Sequence, residues 1–321
     1  MDILQELESY GIPPGVLRRN FIDRYRRLLG EEFSEFFKYL ARLPRRSLRI
    51  NPMKIDTDKG VLFLESEGFR LSEIPWYRHG FWILSGPERP GNTMSHKLGL
   101  IYLQEAASMI PPVVLDPQPG ERILDIAAAP GSKTTQMSEM MRWRGTIVAN
   151  DISPPRIEIL VSNVQRMSSI NVIVTRVDGR YAHKVFGECS FDRVLVDAPC
   201  SAIGQVRRSW EALRRWSLRA VKRISRLQRS LALSAYRCLK KGGLLVYSTC
   251  TFDPEENEFV VQTLLDLGCE ILKPDVKGLK FSEGLTEWEE SRLDQSIRRT
   301  MRIYPHHNDT EGFYVALIRK E

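Results

Sequence analysis

The chain has 321 residues, 42% of them hydrophobic, which is enough for one large domain with an ordinary packed core and a smaller accessory domain. No basic start precedes an apolar run, no apolar stretch could span a bilayer, and the five cysteines lack Cys-x-x-Cys spacing. Lysine and arginine outnumber acidic residues 47 to 40. We therefore expect a cytosolic globular protein with free thiols, and neither a disulfide framework nor a zinc ribbon.

Residues 1–115 differ in pattern from the rest of the chain and are predicted to form a separate module. Their pattern is irregular and loop-rich, and the prolines and glycine within 111–120 mark its end. The expected helices are Phe33 to Leu43 and Val61 to Glu67, and the expected short strands are Ser47 to Asn51 and Phe81 to Leu84. A small α+β module over 1–115 is predicted, followed by a second domain over 116–321.

Two stretches of the chain are rich in cations. One, from Arg42 to Lys54, contains no acidic residue, and the other, from Arg207 to Arg229, contains only Glu211. A charge run is commonly a solvated helix face. Two such runs, together with Trp210 and Trp216, which could stack on bases or simply pack, favour a nucleic-acid surface.

From Arg122 onward the sequence has the alternating pattern of a doubly wound α/β sheet. The expected strands are Ile123 to Ile126, Thr146 to Asn150, Val172 to Val177, Phe191 to Val196 and Leu244 to Ser248. Gly242 and Gly243 are expected to end the long basic helix before the fifth strand. A final strand, Gly312 to Ile318, is expected to lie buried beside the others.

The junction after the first strand is a candidate cofactor site, because ligands of open α/β sheets bind beyond the carboxyl ends of the strands. It reads DIAAAPGSK and holds one glycine, so it does not match the loop that binds a pyrophosphate, and nicotinamide cofactors are disfavoured. Asp151 ends the second strand, where it could accept both ribose hydroxyls, and Asp178 ends the third; each could instead be a helix cap or a solvated loop residue. S-adenosylmethionine, which carries a ribose and a sulfonium but no phosphate, suits such an acidic site.

Two further strand ends carry cysteines. The fourth strand is followed by Cys200, in DAPC, and the fifth by Cys250, in STC. A single buried cysteine is usually inert packing, but two at adjacent strand ends are candidates for catalysis. Carbon 5 of a cytosine becomes nucleophilic only when a group adds at carbon 6, and a thiolate suits that addition. The charge that develops in the ring needs a donor near N3, for which a protonated Asp197 is the local candidate.

Four motifs in order resemble those of the Sun-type (Nop/Sun) RNA cytosine-5 methyltransferase family: DIAAAPGSKT, DAPCSAIG, STCTFDPEENE and HHNDTEGFYVALIRK. The likeness extends from about residue 45 to the end and includes LRIN at 48–51 and QEAAS at 104–108. The resemblance implies a Rossmann-like class I methyltransferase domain with a small α+β RNA-binding module at the amino end. It also implies transfer of a methyl group from S-adenosylmethionine to carbon 5 of a cytosine in RNA.

The resemblance implies roles for the residues at matching positions. Cys250 matches the nucleophile and Cys200 the cysteine that helps to release the product, an assignment that spacing alone leaves open. The positions of the cofactor-binding motifs are Ala127, Ala128, Ala129, Pro130, Gly131, Ser132, Lys133, Asp151, Arg156, Asp178 and Asp197. Ser132 and Ala202 stand where the family usually has glycine; both are small, and we expect activity to survive them.

Compact chains of this kind resemble archaeal transfer-RNA enzymes, so tRNA is the first choice of substrate and ribosomal RNA the second. We expect a monomer. Two alternatives stay open: a methyltransferase that acts at an exocyclic nitrogen or a protein side chain, which would need no thiol, and a catalytically inactive RNA-binding or assembly factor. Retention of both cysteines, Asp197 and the cofactor loop argues against the second.

A histidine pair near the carboxyl end, His306 and His307, with Asp309 close by, could suggest a metal site. No further ligand stands at a suitable spacing, so we expect no metal and favour a surface or RNA-contacting role for these residues.

Overall fold

Three β-sheets, of four, nine and two strands, are present in the computed structural model, which describes Leu7 and residues 9–321. Among these residues we find no helix with the length and apolar character needed to cross a bilayer. The four-stranded sheet lies within 47–102, and the nine-stranded sheet lies within 122–319.

Helices α1 (Arg19–Leu29) and α2 (Phe33–Leu40) precede the small sheet. Helix α2 confirms the helix predicted from Phe33, although it ends at Leu40 because Ala41 is already the C-cap. Helix α1 is not among the predicted elements. Its buried residues, among them Phe21, Tyr25 and Leu28, recur at helical spacing along one face of the helix.

Helices α1 and α2 pack on the second half of the chain. Phe21 stacks edge-on against Trp216 at 4.9 Å between ring centroids, and Phe36 meets Phe252 at 5.3 Å. One hydrophobic cluster contains these side chains from both halves of the sequence. The predicted 1–115 module therefore contains two packing units, and the division at residue 115 stays a prediction.

The small sheet is antiparallel and has its own core. Its strands are β1 (Ser47–Ile50), β2 (Arg70–Glu73), β3 (Gly80–Ser85) and β4 (Ile101–Tyr102). Their spatial order is β2-β3-β1-β4, and helix α3 (Thr57–Ser66) follows β1. Asp56 caps the amino end of α3, and its Oδ1 accepts the amide hydrogens of Asp58 and Lys59. The predicted strands and helix of this region are thus present, with slightly different bounds.

The large sheet combines a parallel half with an antiparallel half. The parallel strands are β5 (Arg122–Asp125), β6 (Thr146–Asn150), β7 (Val172–Thr175), β8 (Phe191–Asp197) and β9 (Leu239–Thr249). The later strands are β10 (Glu270–Leu272), β11 (Ser282–Glu283), β12 (Glu287–Trp288), β13 (Ser291–Arg292), β14 (Met301–Ile303) and β15 (Phe313–Arg319). The order across the sheet is β7-β6-β5-β8-β9-β15-β14-β11, β10 also pairs with β15, and β12 and β13 form the two-stranded sheet. The predicted final strand therefore lies inside the sheet, as expected.

Further helices follow β3 in the chain, and several of them pack on the two faces of the large sheet. They are α4 (Met94–Lys97), α5 (Ile110–Leu115), α6 (Ser132–Met140), α7 (Pro154–Arg166), α8 (Ala182–Phe186), α9 (Glu211–Arg215), α10 (Leu218–Cys238), α11 (Glu258–Leu265) and α12 (Pro305–Asn308). Neighbouring strand residues point to opposite faces, so Leu124 belongs to one apolar cluster and Ile123 to the other. The two cores leave the carboxyl ends of the parallel strands as the open edge.

The expectation that Gly242 and Gly243 end the basic helix is wrong. Helix α10 ends at Cys238, and both glycines lie within β9. The pairing of β9 with β8 is irregular there, and Gly242 takes a left-handed φ of 74° and donates its N–H to the carbonyl of Lys320 at 2.7 Å. The glycines therefore serve a bulge in the strand.

Candidate active site

A cavity of about 840 Å³ opens at the carboxyl ends of the parallel strands. Residues at the ends of β5, β6, β8 and β9 line it. The predicted site residues in its wall are Ala127, Ala128, Ala129, Pro130, Ser132, Lys133, Asp151, Arg156, Asp178, Asp197, Cys200 and Cys250. Gly131 does not line the cavity. It precedes α6 with a φ of 101°, a left-handed conformation that favours glycine.

Asp151 is fixed in the wall of the cavity. It is 3% exposed, and its carboxylate accepts the N–H of Ala129 at 3.3 Å and that of Ser153 at 3.0 Å. Arg156 lies 3.5 Å from the same carboxylate and also donates to the carbonyl of Ala129. Asp151 therefore links the loop after β5 to the end of β6. This is the position expected for a group that binds the ribose.

Asp178 is engaged by a neighbour. Arg180 donates to both of its carboxylate oxygens, at 2.6 and 3.0 Å, and these hydrogen bonds lower the pKa of Asp178. A ligand atom at Asp178 would share the carboxylate with Arg180, which also lines the cavity and was not among the predicted site residues.

Asp125, the first residue of the DIAAAPGSK junction, is an acid in the cavity wall with no predicted role. It is 1% exposed, its Oδ2 accepts the Thr134 hydroxyl at 2.7 Å, and its Oδ1 has no hydrogen-bond partner among the described residues. Burial raises the pKa of Asp125 to about 7. An unpartnered buried acceptor fits a ligand that brings hydrogen-bond donors or positive charge, and S-adenosylmethionine brings both.

The two thiols lie side by side in the cavity, with Sγ of Cys200 and Sγ of Cys250 2.9 Å apart. Their proximity follows from the sheet: Asp197 on β8 pairs in register with Ser248 on β9, so the residues just beyond that pair meet. The hydrogen bond with Cys200 and burial raise the pKa of the Cys250 thiol well above its ordinary value. Both cysteines are free, so the pair is present as thiols.

The expectation of a protonated Asp197 is not supported by its contacts. Its Oδ2 accepts a hydrogen bond from Lys133 Nζ at 2.7 Å and its Oδ1 accepts one from the Ser248 hydroxyl at 2.8 Å. A carboxyl group with both oxygens accepting has no proton to offer, so the donor at this place is Lys133. Burial lowers the pKa of Lys133, but the charge and the hydrogen bond of Asp197, together with the charges of Cys250 and Asp125, outweigh it, so the pKa is raised and the ammonium form is kept.

Two protein families match most of the chain. The family described as 16S rRNA methyltransferase RsmB/F matches residues 112–319, and the N-terminal domain of 16S rRNA methyltransferase RsmF matches residues 17–106. The chain belongs to the RsmB/F family. The predicted S-adenosylmethionine-dependent RNA cytosine-C5 methyltransferase with a class I Rossmann-like fold is thereby confirmed.

Individual relatives add detail. A tRNA (cytosine(49)-C(5))-methyltransferase of Pyrococcus abyssi is 47% identical over 305 residues, which cover 95% of this chain and 96% of that one. Ribosomal RNA small subunit methyltransferase F of Shewanella loihica is 38% identical over 312 residues, and the match spans 63% of its length. A solved methyltransferase homologue from Pyrococcus horikoshii superposes with a TM-score of 0.86 at 35% identity and covers 99% of this chain and 98% of that one.

The cavity of this RsmB/F enzyme contains two further acids that had no predicted role, Glu105 and Glu311. Both line the cavity, and the N–H of Glu311 donates to the carboxylate of Glu105 at 3.0 Å. Arg208, at the rim, forms an ion pair with Glu311. The only signal for them in the sequence is their place in the QEAAS and TEGF segments, which gives no spacing rule because 206 positions separate them.

The basic stretches divide into buried and exposed cations. Arg49 is fully buried and binds Glu139 and Gln104, and Arg207 is 4% exposed and donates to backbone carbonyls at 42, 43 and 310. Trp216 is buried and donates to Asp253. These residues are structural, and the expectation that they contact RNA is wrong for them. The exposed cations next to and along the first turns of α10 are Arg214, Arg215, Arg219, Lys222, Arg223 and Arg226.

His306 and His307 contact Glu32, which belongs to the amino-terminal part of the chain. Nε2 of His306 and Nε2 of His307 lie 2.7 and 3.0 Å from the same carboxylate oxygen, and both side chains are largely buried, so the expected surface role is wrong. Asp309 pairs with Arg207 instead. Nδ1 of His307 accepts the N–H of Tyr304 at 3.4 Å, so neutral His307 carries its proton on Nε2 and donates it to Glu32. This tautomer favours a hydrogen-bonded clamp between the two halves over metal ligation.

Proposed function

We propose that this enzyme methylates carbon 5 of a cytosine in transfer RNA and that Cys250 is its covalent nucleophile. The observation that carries the mechanism is the pair of thiols, 2.9 Å apart, in the wall of the large cavity. The relative that is similar over nearly its whole length bears the name of a tRNA cytosine(49) enzyme, which makes tRNA the first candidate substrate. Ribosomal RNA is the second, from relatives that are longer than this chain.

Addition of a thiolate at carbon 6 is the step that makes carbon 5 reactive. The bond from Cys250 Sγ to carbon 6 forms while the carbon 5–carbon 6 double bond shifts its electrons into the ring towards N3. Lys133, held by Asp197, supplies positive charge and a donor for that density. Because the Cys250 thiol has a raised pKa, it must lose its proton to the solvent in the open cavity before Sγ adds to carbon 6, and the charge of Lys133 favours the thiolate that results.

The residues around the loop at 127–133, with Asp151, Arg156, Asp178 and Asp125, are suited to hold S-adenosylmethionine. When bound, this group supplies an electrophilic methyl carbon attached to a sulfonium. After carbon 5 has taken the methyl group it still carries a proton. Transfer of that proton to a solvent base leaves the C–H electron pair to re-form the carbon 5–carbon 6 double bond, and Sγ of Cys250 leaves as a thiolate. We assign assistance in that last stage to Cys200, which already touches Cys250.

The exposed cations near the start of α10 and the module over 1–115 are proposed to bind the RNA backbone. Lysine and arginine side chains neutralise phosphates without reading sequence, so this surface would position the RNA while the cavity selects the base. A cytosolic location and a monomeric state stay predictions.

The two cysteines should fail in opposite ways when each is replaced by alanine. Cys250→Ala removes the nucleophile, so methyl transfer to a tRNA transcript should vanish and no covalent RNA adduct should form. Cys200→Ala leaves addition and methyl transfer intact but slows release, so a denaturant-resistant protein–RNA band should accumulate on a gel.

Cys189→Ala is the matched control, because Cys189 is an exposed thiol that does not line the cavity. Its activity and its gel pattern should equal those of the wild type. A trapped band with Cys250→Ala and none with Cys200→Ala would reverse the two roles, and full activity of both variants would refute the covalent mechanism. Methylation of a ribosomal RNA fragment in preference to every tRNA transcript would replace tRNA as the substrate.

A further inference from the structure

The catalytic cavity holds an acid for which the mechanism above has no use, Glu311. Its side chain is 4% exposed and it lines the same cavity as Cys250, Lys133 and Phe313. A buried carboxyl group in a substrate cavity is costly unless a partner compensates its charge.

The backbone places Glu311 close to the nucleophile. Strand β15 runs antiparallel to β9 with Tyr314 opposite Thr249, so the residues just before Tyr314 pass the segment that carries Cys250. Gly312 donates its N–H to the carbonyl of Gly204 at 3.0 Å, and Gly204 donates to the carbonyl of Cys250 at 2.9 Å. A Cβ atom on Gly204 would stand 2.3 Å from the Gly312 oxygen, so only glycine permits this approach.

Two neighbours orient the carboxyl group of Glu311. Arg208 forms an ion pair with it from the rim of the cavity. Glu105 contacts the backbone of Glu311: its two oxygens accept the backbone N–H groups of Glu311 and Ser108, each at 3.0 Å. Burial, and after it the charge of Glu105, raise the pKa of Glu311 to about 7, against the opposing effect of Arg208. Above that pH the group is a carboxylate and acts as an acceptor only.

Of the other acids that line the cavity, Asp125 keeps an unpartnered Oδ1, but it stands in the part of the wall that we assign to S-adenosylmethionine. Asp197 accepts from Lys133 and Ser248, and Glu105 accepts from two backbone amides. Within the described part of the chain, Oε1 of Glu311 makes only the ion pair with Arg208 and no hydrogen bond of ordinary geometry. The acceptor with free capacity beside the thiols is therefore Glu311.

We propose that Glu311 accepts a hydrogen bond from the 4-amino group of the target cytosine and so selects cytosine against uracil, an inference that rests on the proposed function. Cytosine presents an acceptor at N3 next to a donor at its amino group, and Lys133 and Glu311 form the complementary donor and acceptor. Uracil presents the reverse, an N–H at N3 and a carbonyl at carbon 4. Its N–H donor would meet the donor Lys133, and its carbonyl acceptor would meet the acceptor Glu311. Arg208 and Glu105 act as positioning residues.

The test compares two tRNA transcripts that differ only in the target nucleotide, which is cytidine in one and the nucleoside of pyrimidin-2-one, lacking the amino group, in the other. For each, kcat/KM for methyl transfer is measured with the full-length enzyme at pH 8. The two nucleosides differ in intrinsic reactivity, but this difference is the same for every enzyme variant. It therefore cancels when the ratio of the two kcat/KM values is compared between variants. Glu311→Ala should lower the preference for the amino group at least tenfold, because a site built to bind an N–H group rejects ligands without it.

Asp309→Asn is the matched control, two positions away and outside the cavity lining, and it should keep the wild-type ratio. Glu311→Gln should raise methylation of a transcript with uridine at the target position relative to cytidine, because the glutamine amide can donate to the carbonyl of uracil. If a variant is inactive, the same ratio is read from equilibrium binding of the two RNAs in the presence of S-adenosylhomocysteine.

An unchanged ratio in Glu311→Ala, with a lost preference in Asp197→Asn, would overturn the inference and make Asp197 the acceptor. An unchanged ratio in both variants would place recognition of the amino group on the backbone. Methylation of the cytidine transcript by the wild type reports the proposed function separately.

Discussion

Replacement of Asp151 by alanine tests the cofactor site most directly. Asp151 is 3% exposed and is the acid at the end of β6 that we assign to the ribose hydroxyls. Loss of a hydrogen bond to a buried charged group costs about 1 to 3 kcal/mol. Calorimetric titration with S-adenosylmethionine should therefore show an increase of about 5- to 150-fold in Kd, since about 1.4 kcal/mol corresponds to a factor of ten.

The same substitution removes the acceptor for the amides of Ala129 and Ser153, so loop distortion must be separated from loss of the ribose contact. Titration with S-adenosylhomocysteine and with its 2′,3′-dideoxy analogue makes this distinction. The wild type should lose affinity for the analogue, and Asp151→Ala should bind both ligands equally. Equal weakening of both ligands would mean that the loop alone had changed, and unchanged affinity for both would place the ribose elsewhere.

Three further outcomes are expected. Cys200→Ala removes the hydrogen bond that contributes most to the raised pKa of Cys250, so alkylation of Cys250 by iodoacetamide should reach its half-maximal rate at lower pH than in the wild type; an equal or higher midpoint would contradict this. Affinity for tRNA should fall steeply with salt, with a logarithmic slope of about −0.7 to −0.9 per phosphate contact. That slope should flatten, as judged by filter binding, in the triple alanine variant of Arg214, Arg215 and Arg219. Burial raises the pKa of Glu32, but the hydrogen bonds from His306 and His307 overcome this effect and the pKa is lowered. The stability that a lowered carboxyl pKa provides is present when the pH is above the pKa of the unfolded chain, and it is lost as the pH falls through the pKa of the folded protein. The difference in unfolding free energy between the wild type and Glu32→Gln, measured by urea titration, should therefore be largest near neutral pH and shrink below pH 4.5; a constant difference would contradict the clamp.

Much of the candidate site could be predicted from the sequence because parallel strands bring their carboxyl ends to one edge. Asp151, Asp197, Cys200 and Cys250 each follow a predicted strand, and the structure gathers all of them around one cavity. The sequence pattern also gave the strand at 146–150 with its observed bounds. Local pattern suffices where function sits at the end of a regular element.

The cation runs show where the pattern fails. Arg49 and Arg207 stand in runs that look solvated, yet each is buried against acids or carbonyls from distant segments. Whether an arginine faces water depends on its partners, and Glu139 and Asp309 reach these two side chains only through the packing of one segment on another. A net charge therefore predicts that a basic surface exists but not which residues form it.

What the sequence by itself determined is the class of fold, the family and the order of the chemical groups along the strand ends, because these depend on local periodicity and on contiguous motifs. The tertiary structure alone decided that Lys133 donates to Asp197, that α1 and α2 pack on the second half of the chain, and that Glu105 meets Glu311 across 206 positions. These contacts join segments far apart in the chain. No periodicity or spacing records them, because they arise only when the strands are ordered in the sheet and the loops beyond them close on the same cavity.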